Sequence, residues 1–247
     1  MIAAADSESG TFYGVGVGPG DPELITLKAQ RLIAQADVVS YIVNERGHSQ
    51  ARTIARLALD QARADQRELP VEMPMSVDRG AAEAVYAGLA EAIGGHLAAG
   101  LDVVFLCEGD PLFFGSFAYL LERLQHSSRC EVVPGISSVH AASAALRLPL
   151  ARLQESFAVV TGRHDDAAIL GALETYDSVV IIKAGRPRER LLRLIEKAGR
   201  ADQVNYLEYI GRDNQRIERD PGVLAQLEGT GPYFSLLVVV RDRESAS

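Results

Sequence analysis

Three short segments in the first 140 residues carry the residue types that seat a small ligand. They are Gly14-Val15-Gly16-Val17-Gly18-Pro19-Gly20-Asp21-Pro22, Glu108-Gly109-Asp110-Pro111 and Pro134-Gly135-Ile136-Ser137-Ser138. Glycines at alternate positions let a backbone approach a ligand where a Cβ would collide, and Pro19 stiffens the turn that follows. Asp110, held between Gly109 and Pro111, offers an acceptor for ribose hydroxyls or an amino group. The third segment offers hydroxyls and backbone N–H groups at a helix start, which suits a carboxylate or a similar anion. The first run is not the dinucleotide fingerprint. A G-x-G-x-x-G needs its third glycine where this chain has Asp21 or Pro19, and no Gly-Lys-Ser/Thr follows to make a P-loop.

Each segment follows an apolar, strand-like run: residues 12–17, 101–107 and 131–133. In a parallel sheet all carboxyl ends share one edge, so the three loops can line one crevice. Asp21 and Thr26 are both candidate caps for the next helix, whose apolar stripe is Ile25, Ala29, Leu32, Ile33 and Ala36. Residues 38–43 read as a strand. Residues 49–59 read as one helix capped by Ser49, 81–99 as a second, and 139–145 as a small-residue helix. The rhythm breaks at Leu148-Pro149-Leu150. Strands then follow at 157–161, 178–182, 204–209 and 233–240, with helices at 167–173 and 188–198. The pattern predicts two α/β domains, 11–150 and 155–243, with a boundary near 151–154. The first is a mostly parallel sheet and the second a smaller mixed unit.

Composition narrows the class. With 247 residues and 47% hydrophobic content, the chain can bury a real core. Net charge is −8 and no lysine-rich block occurs, which argues against nucleic acid as the ligand. No apolar run reaches membrane-spanning length. Residues 1–10 are small and acidic, without the marks of a signal peptide, and read as a frayed tail of a cytoplasmic protein. Cys107 and Cys130 form no metal or redox spacing, and Cys107 ends an apolar run, which predicts a buried thiol. No His or Cys cluster marks a metal site.

Taken together, the loops resemble the tetrapyrrole (corrin/porphyrin) methyltransferases, a family of two α/β domains that use S-adenosyl-L-methionine. The V-G-x-G-P-G-D-P start, the E-G-D-P-x-x-x-x-S stretch from Glu108 to Ser116 and the P-G-I-S-S segment match in order and spacing. Lys183-Ala184-Gly185 and the stretch from Glu208 through Gln215-Arg216 extend the match. The resemblance implies a cofactor and substrate cleft between the domains, a homodimer, and S-adenosyl-L-homocysteine as co-product. It implies cofactor contacts at Pro19, Glu108, Gly109, Asp110, Phe113, Ser137, Ser138, Lys183 and Ile210, several through backbone atoms. For Lys183 a backbone contact is expected, because an ammonium facing a sulfonium is unfavourable.

Within the family, residues 41–52, with Gly47-His48-Ser49-Gln50-Ala51-Arg52, resemble the precorrin-2 methyltransferases of cobalamin biosynthesis, as do Met73-Pro74-Met75 and Leu112-Phe113-Phe114. That implies methyl transfer to carbon 20 of precorrin-2 or of its cobalt form. The alternatives are another tetrapyrrole position, as in uroporphyrinogen-III C-methylation, a macromolecular substrate, or a non-enzymatic cofactor-binding sensor. Precorrin-2 carries eight carboxylates, so an acidic chain must concentrate cations where it binds. Several of Arg46, Arg52, Arg163, Arg186, Arg188 and Arg212 are expected to line an interdomain trough, with the first four taken as the substrate-binding residues. No acid or base is assigned. Glu108, His140 and Tyr209 are candidates to accept a proton by position only.

Overall fold

The computed structural model describes residues 9–73, 79–227 and 229–241. Pro74 and Met75 of the methionine step, residues 1–8 of the expected tail and residues 242–243 lie outside them. The chain divides into two compact units, Met1–Ser137 and Ser138–Ser247. The division falls ahead of the 151–154 segment.

The first unit holds strands β1 (Thr11–Gly16), β2 (Val38–Val43), β3 (Arg67–Glu72), β4 (Val103–Cys107) and β5 (Arg129–Val133). Their order is β3-β2-β4-β1-β5, and every pairing is parallel. Both faces of the central strands are covered, which is why β1 and β4 read as near-continuous apolar runs. On one face Val15, Val17, Val104 and Leu106 pack against helices α1 (Leu27–Gln35), α2 (Gln50–Ile54) and α3 (Arg56–Leu59). On the other, Phe12, Val103, Phe105 and Cys107 pack against α4 (Arg79–Ala98) and α5 (Phe117–Leu124).

The two expected caps serve different elements. Asp21 accepts from the Glu23 N–H at the 3-10 turn Pro22–Leu24, and Thr26 accepts from the Ala29 N–H at the start of α1. Ser49 caps α2, as expected, but the single helix at 49–59 is two: Ala55, with ψ near 1°, breaks it. Strand β3 was not foreseen. Most of its residues are exposed, and it carries Pro70, which an edge strand tolerates because one side of its backbone makes no ladder.

The second unit contains α6 (Ser138–Leu146), β6 (Phe157–Thr161), α7 (Asp166–Thr175), β7 (Ser178–Ile182), α8 (Arg188–Lys197), β8 (Val204–Glu208), β9 (Arg216–Glu218), α9 (Pro221–Ala225) and β10 (Ser235–Val240). The sheet order is β6-β7-β10-β8-β9. Only β6 and β7 pair in parallel; the remaining pairs are antiparallel, so the sheet is mixed, as the sequence predicted. Its core joins Ile169, Leu173, Val179, Ile181, Leu191 and Leu237.

Candidate functional site

In the first unit the chain reverses its direction of strand addition at β1 and β4. These strands are neighbours, yet β1 leads to α1 on one face and β4 to α5 on the other. In open α/β sheets such a switch point opens a crevice at the carboxyl edge, where ligands bind. The expected loops meet there. Gly109 N donates to Gly18 O at 2.8 Å, and Gly18 N donates back to Gly109 O at 3.4 Å. Gly135 is pressed against both neighbours: a Cβ there would lie 2.1 Å from Gly109 O and 2.8 Å from Gly16 Cα. Only glycine fits.

The Asp110 carboxylate locks this arrangement. One oxygen accepts from Gly135 N at 3.1 Å and the other from Leu112 N at 2.9 Å. The acceptor expected to face a ligand is thus already tying two loops together. Pro19 is buried and Ser137 is 6% exposed, whereas Glu108 is exposed. Leu112, Phe113 and Phe114 form an exposed apolar ridge. The Phe113 and Phe114 rings meet edge to face at 4.9 Å, and Phe114 is held in the left-handed region at φ 56°. A phenylalanine persists in that conformation only where its surroundings impose it. Cys107 is a buried free thiol, as expected; burial, then the Asp110 and Glu108 charges, push its pKa far up and keep it neutral.

The second unit builds its own edge. Strands β6, β7 and β8 all run antiparallel to β10 or parallel to one that does, so their carboxyl ends fall together beside the start of β10. Lys183 and Tyr209 follow β7 and β8 directly, and both are left-handed, at φ 57° and 51°. Gly185 packs so tightly on the 231–232 backbone that a Cβ would lie 1.9 Å from Pro232 O. Gly231 N donates to Gly185 O at 3.0 Å, and Tyr209 N donates to Phe234 O at 2.9 Å. Ile210, next in the chain, is buried. Lys183 is half-buried, with Nζ 6.0 Å from the centre of the Tyr233 ring. Burial first, and Arg163 second, lower its pKa.

The arginines divide. Arg46 sits on an exposed turn, and Arg163 and Arg186 are exposed beyond β6 and β7. The Arg52 fork is engaged by Glu68 at 2.6 and 2.8 Å, and Glu68 also accepts from the Tyr41 hydroxyl. A cavity of about 200 Å³ lies beside Arg52, Arg63 and Gln66, near the start of β3 and away from the glycine loops. Arg188 corrects an expectation. It is 4% exposed and donates to Leu227 O, Gly229 O and the Tyr206 hydroxyl, so it anchors a loop and lines no trough. Arg212 lies over the Phe234 ring at 4.0 Å. Of the proton-acceptor candidates, Glu108 and His140 are exposed and Tyr209 is half-buried. Sequence reasoning missed Glu68 because it missed β3; the alternation of Leu69 and Val71 with Glu68, Pro70 and Glu72 was the available signal.

Residues 11–227 match the family of Tetrapyrrole (Corrin/Porphyrin) Methylases. The chain belongs to that family. This methylase is 37% identical over 248 residues to the cobalamin biosynthesis protein CobIJ of Mycobacterium tuberculosis, covering 97% of this chain and 48% of that protein. It therefore spans about half the length of that relative. It is 34% identical over 238 residues to a precorrin-2 C(20)-methyltransferase of Sinorhizobium sp, covering 93% of this chain and 95% of the other. Among solved structures, a uroporphyrin-III C-methyl transferase of Thermus thermophilus complexed with S-adenyl homocysteine is similar at a TM-score of 0.65 and 27% identity, over 94% of this chain and 92% of that one. Among the described residues, no helix of the methylase is long and apolar enough to cross a membrane.

Proposed function

We propose that this methylase transfers a methyl group from S-adenosyl-L-methionine to carbon 20 of precorrin-2, or of cobalt-precorrin-2, in cobalamin biosynthesis. The observation that carries the reading is the meeting of Gly16, Gly109 and Gly135 at the β1–β4 switch point. The identity to the Sinorhizobium enzyme along almost the whole of both chains supports the position of transfer. The cradle fits an adenosyl group: it is walled by backbone, lacks Cβ atoms where the loops close, and keeps Ser137 buried beside it. In the first unit Pro19, Glu108, Gly109, Asp110, Phe113 and Ser137 would hold the cofactor; in the second, Ser138, Lys183 and Ile210.

The cofactor supplies a sulfonium methyl that an electron-rich meso carbon attacks directly. Transfer would form the carbon–methyl bond at the expense of the sulfur–methyl bond, with S-adenosyl-L-homocysteine as the leaving group, and the meso proton would pass to solvent or to a base. The protein's part is to place the carbon ~3 Å from the methyl, in line and away from water. The Leu112–Phe114 ridge offers an apolar surface suited to a flat macrocycle. Arg46, Arg163 and Arg186 offer guanidinium groups to its carboxylates, and Arg52 would do so while sharing its charge with Glu68. We take the working form to be a cytoplasmic homodimer.

Incubation with the cofactor and either metal-free or cobalt-loaded precorrin-2, followed by product mass and carbon NMR, tests the reading. A new methyl on carbon 20 is expected. Transfer to uroporphyrinogen III instead would move the assignment within the family. Cofactor binding with no transfer to any tetrapyrrole would leave a sensor.

A further inference from the structure

Some basic side chains of this acidic chain find carboxylates: Arg52 pairs with Glu68, Arg63 with Asp37, Arg123 with Glu83, Arg190 with Asp166 and Arg193 with Glu189. The edge beyond β6 and β7 gathers cations that do not. Arg163, Lys183 and Arg186 follow those two strands within a few residues, and none of the three has an ion-pair partner among the described residues. Lys183 is the most constrained of them. Its backbone is in a left-handed conformation that a lysine seldom adopts, its side chain is half-buried, and its ammonium lies near the Tyr233 ring. Arg163 follows the end of β6, which pairs with the end of β7 at Thr161 and Ile182, so the two cations leave adjacent strand ends and the Arg163 charge opposes that of the lysine. Holding like charges together in a half-buried place is unfavourable unless an anion offsets them.

Resting on the methyl-transfer reading, we propose that the Lys183 ammonium, with Arg163 and Arg186, receives a carboxylate side chain of the tetrapyrrole substrate. Lys183 is then a substrate-binding residue as well as a backbone neighbour of the cofactor. The chemistry suits a carboxylate better than a neutral acceptor. A guanidinium offers two parallel N–H donors and the ammonium a compact charge, so one carboxylate engages both kinds of donor and relieves their repulsion. A less carboxylated macrocycle would leave the three cations opposed, so the cluster selects for acidic substrates.

The test measures binding of uroporphyrin III, a stable fluorescent macrocycle with eight carboxylates, beside coproporphyrin with four. S-adenosyl-L-homocysteine is titrated in parallel on the same protein. Lys183→Met is expected to weaken uroporphyrin III by about tenfold or more, as loss of a charge-assisted hydrogen bond does. Lys183→Arg should recover most of that loss. Adding Arg163→Gln to Lys183→Met should cost less than the two single losses combined, because both serve one carboxylate. S-adenosyl-L-homocysteine affinity should fall much less than uroporphyrin III affinity, because the cofactor contact expected of Lys183 is through its backbone. Unchanged uroporphyrin affinity in a folded Lys183→Met protein overturns the inference, as does a loss confined to S-adenosyl-L-homocysteine. Wild-type protein that binds the cofactor product and not uroporphyrin III overturns the inference and leaves methyl transfer standing. Lys183-dependent porphyrin binding without cofactor binding does the reverse.

Discussion

The Asp110 carboxylate accepts the Gly135 N–H at 3.1 Å, and through this bond the loop after β4 holds the loop after β5. The partner oxygen takes the Leu112 N–H, so the same side chain also sets the start of the apolar ridge. Placing a cofactor needs loops that do not shift when it arrives. Here one carboxylate fixes two of them, while the Gly18–Gly109 bridge fixes the third. In the proposed cofactor site Asp110 would therefore act chiefly by preorganising backbone.

Asp110→Ala strips the acceptor from two N–H groups. Each such loss costs about 1–3 kcal/mol where the donor is shielded from water. S-adenosyl-L-homocysteine affinity is expected to fall roughly tenfold or more by calorimetry, with a smaller fall for Asp110→Asn, which keeps one acceptor oxygen. Wild-type affinity in the alanine variant would show that the loops hold themselves.

Gly135→Ala and Gly94→Ala should move stability in opposite directions. The first drives a Cβ into backbone on two sides, where nothing can swing away, and is expected to cost about 1–3 kcal/mol together with cofactor binding. The second adds a Cβ to the α4 helix with nothing within 4 Å, and is expected to stabilise by about 0.4–1 kcal/mol with binding intact. Thermal melting with and without S-adenosyl-L-homocysteine separates the two.

Much of this was written in the chain because its signals are local. The near-continuous apolar runs of β1 and β4, the Thr26 and Ser49 caps and the glycine runs at strand ends are all properties of short windows. The convergence of the loops was legible too, since parallel strands share an edge. What escaped depends on distant partners. Glu68 lies on an edge strand whose polar pattern hides it, and its meaning comes from Tyr41, 27 positions earlier. Arg188 reads like any arginine at a helix start until the carbonyls of Leu227 and Gly229 close over it. The burial of a charge is a tertiary fact.

The Tyr41–Glu68–Arg52 cluster gives a pH dependence whose sign is fixed. Arg52 holds the Glu68 carboxyl below its ordinary value near 4.5, outweighing the burial that pushes it up, and the Tyr41 hydroxyl adds to the lowering. A depressed folded pKa means stabilisation that is present above the unfolded value and lost as pH falls through the folded one. Wild type should exceed Glu68→Gln in stability at neutral pH, and the gap should close below about pH 4.5. Because the pair is partly exposed, solvent and salt keep the gap to about 1 kcal/mol or less. Urea melts at a series of pH values check it; a gap that widens on acidification would contradict the assignment.

Arg188 supplies the sharpest separation of scaffold from site. Its guanidinium is buried, reaches the Leu227 and Gly229 carbonyls at 3.2 and 3.0 Å, and lies 5.3 Å from the centre of the Tyr206 ring. Glu208 stands 3.9 Å away and is itself well shielded. Arg188→Met keeps much of the apolar bulk but leaves those carbonyls and that carboxylate without the cation. Breaking a buried charge pair from one side costs about 3–5 kcal/mol, so the variant should melt far below wild type. Residual folded protein, held at low temperature, should still bind S-adenosyl-L-homocysteine in the first-unit loops, because the Asp110–Gly135 bond belongs to the other compact unit. A variant that melts like wild type yet binds uroporphyrin III poorly would return Arg188 to the substrate-binding arginines and remove it from the frame.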